Sequence, residues 1–375
     1  MTTSAVAERV RAALASRTPL RVLGAGTWLS AGRPVSARET LSLADDRGIV
    51  EYVPGDLTLT ARAGTRLSDI AVATRAEGQW LPLDPWGGDA GTLGATISTA
   101  TAGPHAFALG LPRDVVLGIE FVNGTGQVVR GGGRVVKNVA GFDLSRLVTG
   151  SWGTLGVITE VSVRLRAIPE QTRSVAIPFK ATHTALNDLA TQLRALPFTP
   201  LACEAINSVF ARHLGLGEEH LLLVRLAGNA KSIAAQTDHV RPFGSLRELD
   251  ERIWGTLRTA EPPDTAAWRW SQLPSGFGDT WSAADRAVRQ LAGVWIHGNP
   301  MRGVVRVVAT ITSGNAAVLA RAATAFGGTV FVERLPASAW ARVPFAGKDD
   351  GVSRSVRSTF DPGRVLNPGI MGGDE

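Results

Sequence analysis

Residues Asp84 to Pro169 read DPWGGDAGTLGATISTATAGPHAFALGLPRDVVLGIEFVNGTGQVVRGGGRVVKNVAGFDLSRLVTGSWGTLGVITEVSVRLRAIP. Two Gly-Thr-Leu-Gly turns, Gly91-Thr92-Leu93-Gly94 and Gly153-Thr154-Leu155-Gly156, bracket short β-branched strands. Glycine has no Cβ and tolerates positive φ, and unpaired N–H groups in such turns form concavities suited to phosphate oxygens. The stretch therefore predicts a site for a large anionic cofactor rather than an ordinary core.

Upstream of it, residues 4–16 predict a helix and Leu20–Leu23 a strand that runs into the tight turn Gly24-Ala25-Gly26-Thr27-Trp28. Apolar runs follow at Thr40–Leu43, Gly48–Val53 and Leu57–Ala61. A helix starts near Arg66 with Ser68 or Thr65 as its cap and ends before Gly78. Within the stretch, residues 94–102 suit a buried helix or turn. Val115–Asn123 and Gln127–Arg130 read as strands joined by the hairpin signal Asn123-Gly124-Thr125-Gly126. Gly156–Leu165 is a closing strand, with Pro169 a natural boundary. Short strands separated by short turns indicate an α+β domain rather than a βαβ array.

Beyond Arg173 the pattern changes. Strands at Val175–Phe179, Leu201–Ile206, Leu221–Ala227, Gly303–Thr312 and Thr329–Glu333 interleave with helices at 183–195, 230–240 and 314–325. Two rounds of strand–helix–strand predict a ferredoxin-like antiparallel sheet with helices on one face. The irregular segment Glu261–Ala283, with Trp268, Trp270 and Trp281, reads as a lid, a partner surface or a long loop. Ser353–Gly369 reads as a short helix ending at FDPGRVLNPG, where Asp361-Pro362 and Asn367-Pro368-Gly369 stop regular structure.

A chain of 375 residues exceeds what one core usually supports, and 44% hydrophobic with 19% charged residues is a globular composition. No apolar run is long enough to span a bilayer, and the Arg-containing N-terminus does not fit a signal peptide, so the chain reads as untargeted and cytoplasmic. The single Cys203 excludes internal disulfides and any cysteine-ligated iron–sulfur cluster within this chain, and reads as a small buried hydrophobe. The net charge of +6 is a mildly basic surface without a dense Lys/Arg cluster. No nucleic-acid-binding pattern is present.

Gly24-x-Gly26 invites a dinucleotide fingerprint, with Asp45 and Asp46 near the ribose-binding spacing. Leu29 stands where the third glycine is needed and no crossover helix follows, which argues against nicotinamide binding. No Walker loop occurs.

Taken in order, the turn LGAGTW, the segment DP…GTLGATIST…G, RDVVLGIEFV, VKNVAGFDLSRLVTGSWGTLGVITE and the ending FDPGRVLNPG resemble the vanillyl-alcohol oxidase / p-cresol methylhydroxylase (PCMH-type) superfamily of flavoproteins. Motif order and length are most similar to the FAD-binding subunits of bacterial glycolate oxidases. The resemblance implies an α+β chain. Residues 1–169 would form a two-subdomain PCMH-type FAD-binding domain and 170–345 a ferredoxin-like antiparallel-sheet cap for substrate or subunit contact. Residues 346–375 would return to the FAD domain.

The resemblance also implies residue roles. Gly24, Ala25, Gly26 and Thr27 would hold the pyrophosphate, and Pro82, Asp84 and Pro85 would approach the flavin and ribityl chain. Gly91, Thr92, Gly94, Ser98, Thr99 and Gly103 would line the diphosphate and isoalloxazine. Gly153, Gly156, Val157, Ile158 and Thr159 would frame the adenine or flavin side. Covalent attachment in this superfamily uses His or Cys in the early loop or nearby. Thr27 stands at the early-loop position, and His105 lacks a matching context, so the implied FAD is non-covalent.

Oxidising a 2-hydroxy acid requires a base, a cation for the carboxylate and a hydride acceptor. Similar hydroxy-acid dehydrogenases carry a paired-histidine segment and a Glu-His-Gly motif that bind a metal. Here the corresponding places read Trp295-Ile296-His297-Gly298-Asn299-Pro300 and Val332-Glu333-Arg334-Leu335-Pro336, too few ligands for a metal site. His297 is either a buried or loop histidine or an active-site base. Arg302, Arg306 and Arg334 are carboxylate-anchor candidates, with His297 and Arg302 the catalytic pair. The function implied is the FAD-binding subunit of a glycolate-type 2-hydroxy acid oxidoreductase. It would take part in electron transfer beside a second flavoprotein and an iron–sulfur subunit, and touch the inner membrane face only through them. A free-standing FAD oxidase or dehydrogenase and a non-catalytic scaffold are the alternatives.

Overall fold

The computed structural model describes residues 1–133, 142–262, 264–311, 326–343 and 351–372. Thr2 caps helix α1 (Thr3–Ser16) through its side-chain oxygen, and Val6, Ala7, Val10 and Ala13 form the buried stripe of that helix. Strand β1 (Leu20–Leu23) pairs in parallel with β2 (Glu39–Ser42). Then come β3 (Ile49–Val53), β4 (Thr58–Arg62), α2 (Leu67–Arg75) and the two-residue β5 (Gln79–Trp80). The expected cap of α2 is not formed: Arg66 sits at the cap without a side-chain bond, and the Thr65 hydroxyl is taken by the Gly48 backbone.

Helix α3 (Leu93–Thr99) begins at Thr92, whose side-chain oxygen accepts from the Ala95 N–H, and two single-turn helices follow, α4 (Ala106–Leu109) and α5 (Pro112–Val115). The hairpin signal is realised between β6 (Val116–Val122) and β7 (Val128–Gly132). Asn123 Oδ1 accepts from the N–H groups of Thr125 and Gln127 across the turn. After α6 (Leu144–Val148), β8 (Val157–Arg164) enters the middle of an antiparallel sheet ordered β3-β4-β8-β6-β7. The Val136–Gly141 part of the sequence motif lies outside the described residues.

The short β9 (Arg166–Ala167) pairs with β5 and leads to β10 (Gln171–Pro178) and α7 (His183–Arg194). Next are β11 (Ala202–Ile206), α8 (Ser208–His213), β12 (Leu221–Gly228), α9 (Ala230–Val240), β13 (Arg247–Leu249) and α10 (Ile253–Thr259). The chain continues through β14 (Ala266–Ser271), α11 (Phe277–Val288), β15 (Trp295–Asn299), β16 (Val304–Ala309) and β17 (Thr329–Arg334). These strands make one antiparallel sheet ordered β13-β10-β12-β11-β15-β16-β14-β17. The expected helix 314–325 lies outside the described residues.

One face of this sheet presents Cys203, Val224, Ile296, Val305 and Val307 to a core shared with α7, α9 and α11. Here the sequence expectation needs correction. Glu261–Ala283 is neither lid nor exposed partner surface, because it contains β14, hydrogen-bonded between β16 and β17, and the start of α11. Trp268, Trp270 and Trp281 are buried in the core. The alternating apolar pattern Ala-Ala-Trp-Arg-Trp-Ser is a strand signal that the flanking Pro and Gly residues mask. Trp295–Asn299 was also not read as a strand, since Gly298 and Asn299 interrupt its β pattern; neighbours on both sides override that weakness.

Beyond the helix Gly351–Phe360 the chain crosses back to β1. The Leu20 N–H donates to the Val365 carbonyl at 2.7 Å, and Asn367 Oδ1 accepts from the Val22 N–H at 2.7 Å. Asn367 Nδ2 also donates to the Trp152 carbonyl at 2.8 Å, so one buried amide ties three chain segments together. Asn367→Ala is expected to cost about 2–4 kcal/mol, since it leaves the half-buried Val22 N–H and the buried Trp152 carbonyl without their partner. A thermal melt of the variant measures that loss.

Candidate FAD site

The turn Gly24–Thr27 opens where β1 ends. It lines a cleft whose other walls are Thr92, Gly94, Ala95, Ser98 and Thr99 of the α3 region, Trp152, Gly153, Gly156 and Ile158, with Leu43, Ala63 and Asn367. Gly26 needs its glycine for φ +73°. A Cβ on Gly24 would lie 2.2 Å from Thr92 Oγ1, so the turn and the start of α3 are in direct contact. The backbone N–H groups of Gly24, Ala25, Gly26 and Thr27 meet no acceptor among the described residues. Gly24, Ala25 and Gly26 are half-buried and Thr27 is exposed, so these donors are within reach of a ligand, and four in succession at the wall of a cleft suit an anion. Arg21 also lines the cleft and adds positive charge. A pyrophosphate fits that donor set, while the small residues of the opposite walls admit flat rings.

Of the residues implied by sequence, the structure brings Gly24, Ala25, Gly26, Thr27, Thr92, Gly94, Ser98, Thr99, Gly153, Gly156 and Ile158 to this one cleft. Gly91 stands at its edge, 3.7 Å from the Thr27 hydroxyl as measured from an added Cβ. The others are placed elsewhere. Asp84 is buried and its carboxylate is taken by the N–H groups of Gly103 (3.3 Å) and His105 (2.8 Å), so it shapes the loop from within. Pro82 and Pro85 are buried around it, outside the cleft lining. Gly103 is small because its Cβ would meet the Asp84 carbonyl at 2.3 Å. Val157 is buried in β8, and Thr159 gives its hydroxyl to Glu120 (2.9 Å), so both support the wall rather than line it. Trp28 and Trp152, which sequence reasoning did not select, stack at 6.1 Å and both line the cleft.

His105 is buried with Nδ1 3.2 Å from Asp84 and Nε2 3.1 Å from Arg225. Burial holds its pKa below the ordinary range despite Asp84, with Arg225 and Arg258 acting the same way as burial. It lies outside the cleft lining, and its two ring nitrogens face protein partners. Burial raises the Cys203 thiol pKa, consistent with an inert core residue.

The second face of the eight-stranded sheet carries charge. His297 on β15 and Arg306 on β16 are register partners, and Arg306 pairs in turn with Arg269 on β14. His297 is 1% exposed; its Nδ1 lies 2.6 Å from Glu204 Oε1 and Trp86 meets its ring edge-on at 4.7 Å. Arg306 donates to Glu333 at 2.6 Å and is ion-paired with Glu261, which also receives Arg334 at 3.1 Å. The Arg306 guanidinium also lies 4.9 Å from the Trp86 ring centre. Burial raises and Arg306 and Arg269 lower the Glu333 pKa, with a net shift below the ordinary carboxylate range. Arg306 and Arg334, candidates for gripping a carboxylate, are thus already committed to internal glutamates. Arg302 is different. It follows the β15 turn, where Asn299 Oδ1 accepts its N–H, and its guanidinium lines a second cavity with Arg113, Arg146 and Arg269. Among the described residues no group of three or more His, Cys, Asp or Glu is placed to hold a metal ion.

Comparison with known proteins agrees with this geometry. A family model described as an FAD binding domain matches residues 1–132. The glycolate oxidase subunit GlcE of Escherichia coli (strain K12) is 36% identical over 277 residues, which is 72% of this chain and 73% of that protein. The glycolate oxidase subunit GlcD of Bacillus subtilis (strain 168) is 35% identical over 160 residues, 42% of this chain and 34% of that protein. The crystal structure of p-cresol methylhydroxylase superposes with a TM-score of 0.77 at 16% identity, covering 100% of this chain and 88% of that one, a likeness of fold. With an FAD-type cradle, a PCMH-type fold and that degree of likeness along most of its length, the chain belongs to the family of FAD-binding glycolate oxidase subunits.

Proposed function

We propose that this chain carries FAD within a multi-subunit glycolate-type oxidoreductase and relays electrons there, while the oxidation of the 2-hydroxy acid takes place on a second flavoprotein subunit. FAD, when bound, supplies a two-electron acceptor. This chain's own contribution would be to hold it: Gly24–Thr27 would donate N–H groups to the pyrophosphate, and Trp28 and Trp152 wall the cleft. Binding is non-covalent, since Thr27 offers no linkage in the loop and His105 is engaged with Asp84 and Arg225. An iron–sulfur subunit would complete the electron path, and the absence of any helix long and apolar enough to cross a membrane, among the described residues, suits a chain that meets a membrane only through partners.

The observation that carries the relay reading is the enclosure of His297. A base must reach the substrate hydroxyl. The His297 ring is instead bracketed by Glu204, Trp86 and Phe210, and it lines neither the FAD cleft nor the arginine cavity. The test is dye reduction by glycolate and D-lactate with the purified chain alone and after adding the second flavoprotein. The expected result is flavin bound to the isolated chain with turnover only in the mixture. Turnover by the chain alone that His297→Ala abolishes would replace this reading with that of a free-standing enzyme. A chain that binds no flavin would favour a scaffold.

A further inference from the structure

The second cavity, about 330 Å³, is bounded by Ala100, Leu111, Pro112, Arg113, Arg146 and Thr149 on the side of α3–α6, and by Arg269, Ser271, Arg302 and Val304 on the sheet side. Four arginines line it, and among the described residues no Asp or Glu does. Three of them have an acidic neighbour outside the lining: Arg113 has Asp114 at 3.8 Å, Arg146 has Asp143 at 3.1 Å and Arg269 has Glu333 at 3.8 Å. The Arg302 guanidinium has no hydrogen-bond or ion-pair partner among the described residues. Burial lowers its pKa, Arg269 and Arg113 push in the same direction, and Glu204 and Asp84 offset them only in part. A partly buried cation crowded by like charges is an unfavourable arrangement on its own and is relieved by a bound anion.

The arrangement of the arginines limits the ligand. Arg113 and Arg146 stand on α5 and α6, and Arg269 and Arg302 on β14 and the turn after β15, with Leu111, Pro112 and Val304 also in the lining. A single phosphate calls for donors converging on one point. Two pairs carried by separate elements, with apolar residues in the same lining, suit a short carbon chain with a carboxylate at each end, each carboxylate matching the planar fork of a guanidinium. From this juxtaposition we propose that the arginine cavity is a binding site for a small dicarboxylate, distinct from the FAD cleft. The proposal does not depend on which subunit oxidises substrate.

Titration calorimetry of the flavin-loaded full chain with succinate, malate, glycolate and inorganic phosphate tests it. The expected result is saturable binding of the dicarboxylates at least about tenfold tighter than glycolate or phosphate, weakening as salt rises. Arg302→Ala is expected to weaken dicarboxylate binding by about tenfold or more while the flavin spectrum is unchanged. Arg146→Ala, at a largely exposed position on α6, provides the same readout should Arg302→Ala fail to fold. Arg9→Ala, remote on α1, is the control and should change nothing. Equal weak binding of all four probes, tighter binding of phosphate than of dicarboxylates, or dicarboxylate binding unaffected by both cavity variants would overturn the proposal.

Discussion

Gly24→Val is expected to yield a folded chain that purifies without flavin. The loop before Thr92 has no room for a side chain: the first added carbon alone would lie 2.2 Å from Thr92 Oγ1 and 3.3 Å from two Thr92 carbons. The turn must move away from α3, and the N–H groups of Gly24–Thr27 move with it. Hydrogen bonds from backbone donors to a charged acceptor contribute about 1.5–3 kcal/mol each. Losing two of them lowers FAD affinity by about 10²–10⁴-fold. The hydrophobic core beneath, built from residues such as Leu41, Leu59, Ile97, Val157 and Val161, does not depend on Gly24, so the protein should still melt cooperatively. FAD titration followed by the quenching of flavin fluorescence measures the effect. Wild-type affinity in Gly24→Val would show that the pyrophosphate is held elsewhere.

The second large effect concerns Arg306, fully buried between Glu333 and Glu261 and stacked near Trp86. Arg306→Met keeps the volume and removes the charge, leaving two buried carboxylates without their shared partner. Removing one member of a buried ion pair costs about 3–5 kcal/mol. The pH dependence gives a second check. In the wild type Glu333 titrates below its unfolded value, so its contribution is present above about pH 4.3 and is lost as pH falls through the folded pKa. In the variant Arg269, at 3.8 Å, remains near Glu333 together with His297 and Arg334, but the strongest partner is gone and burial pushes its pKa up. Its folded form then gains a proton more readily than its unfolded form, and the penalty should shrink as pH is lowered from 8 towards about 5. Adding Glu333→Gln to the variant should recover part of the loss at neutral pH. A single variant with unchanged urea midpoint would mean the network contributes nothing to stability.

Much of the fold was legible because the decisive elements carry local signals. The hairpin at Asn123–Gly126 is written in its turn residues, and helices 183–195 and 230–240 follow apolar periodicity under Thr182 and Asn229 caps. The Gly24–Thr27 turn was legible for the same reason: its conformation is set by small residues within one turn. What escaped depends on contacts distant in sequence. β14 was hidden between segments rich in Pro and Gly, and only pairing with β16 and β17 makes it a strand. Asp84 and Thr159 lie in the right motifs, yet their side chains are taken by Gly103, His105 and Glu120, which no spacing rule reveals. Trp28 and Trp152 meet across 124 positions of sequence, and nothing local pairs them. The arginine cavity draws Arg113, Arg146, Arg269 and Arg302 from four separate elements or turns, so it exists only in three dimensions.

The central claim is that this chain holds FAD non-covalently in the cleft begun by Gly24–Thr27. The most direct measurement is the absorbance of the purified full chain before and after acid precipitation. The account predicts flavin bands near about 370 and 450 nm at roughly one FAD per chain, with all the colour passing into the acid supernatant. A colourless protein that cannot be reconstituted with FAD, or colour that stays with the precipitate, would contradict it.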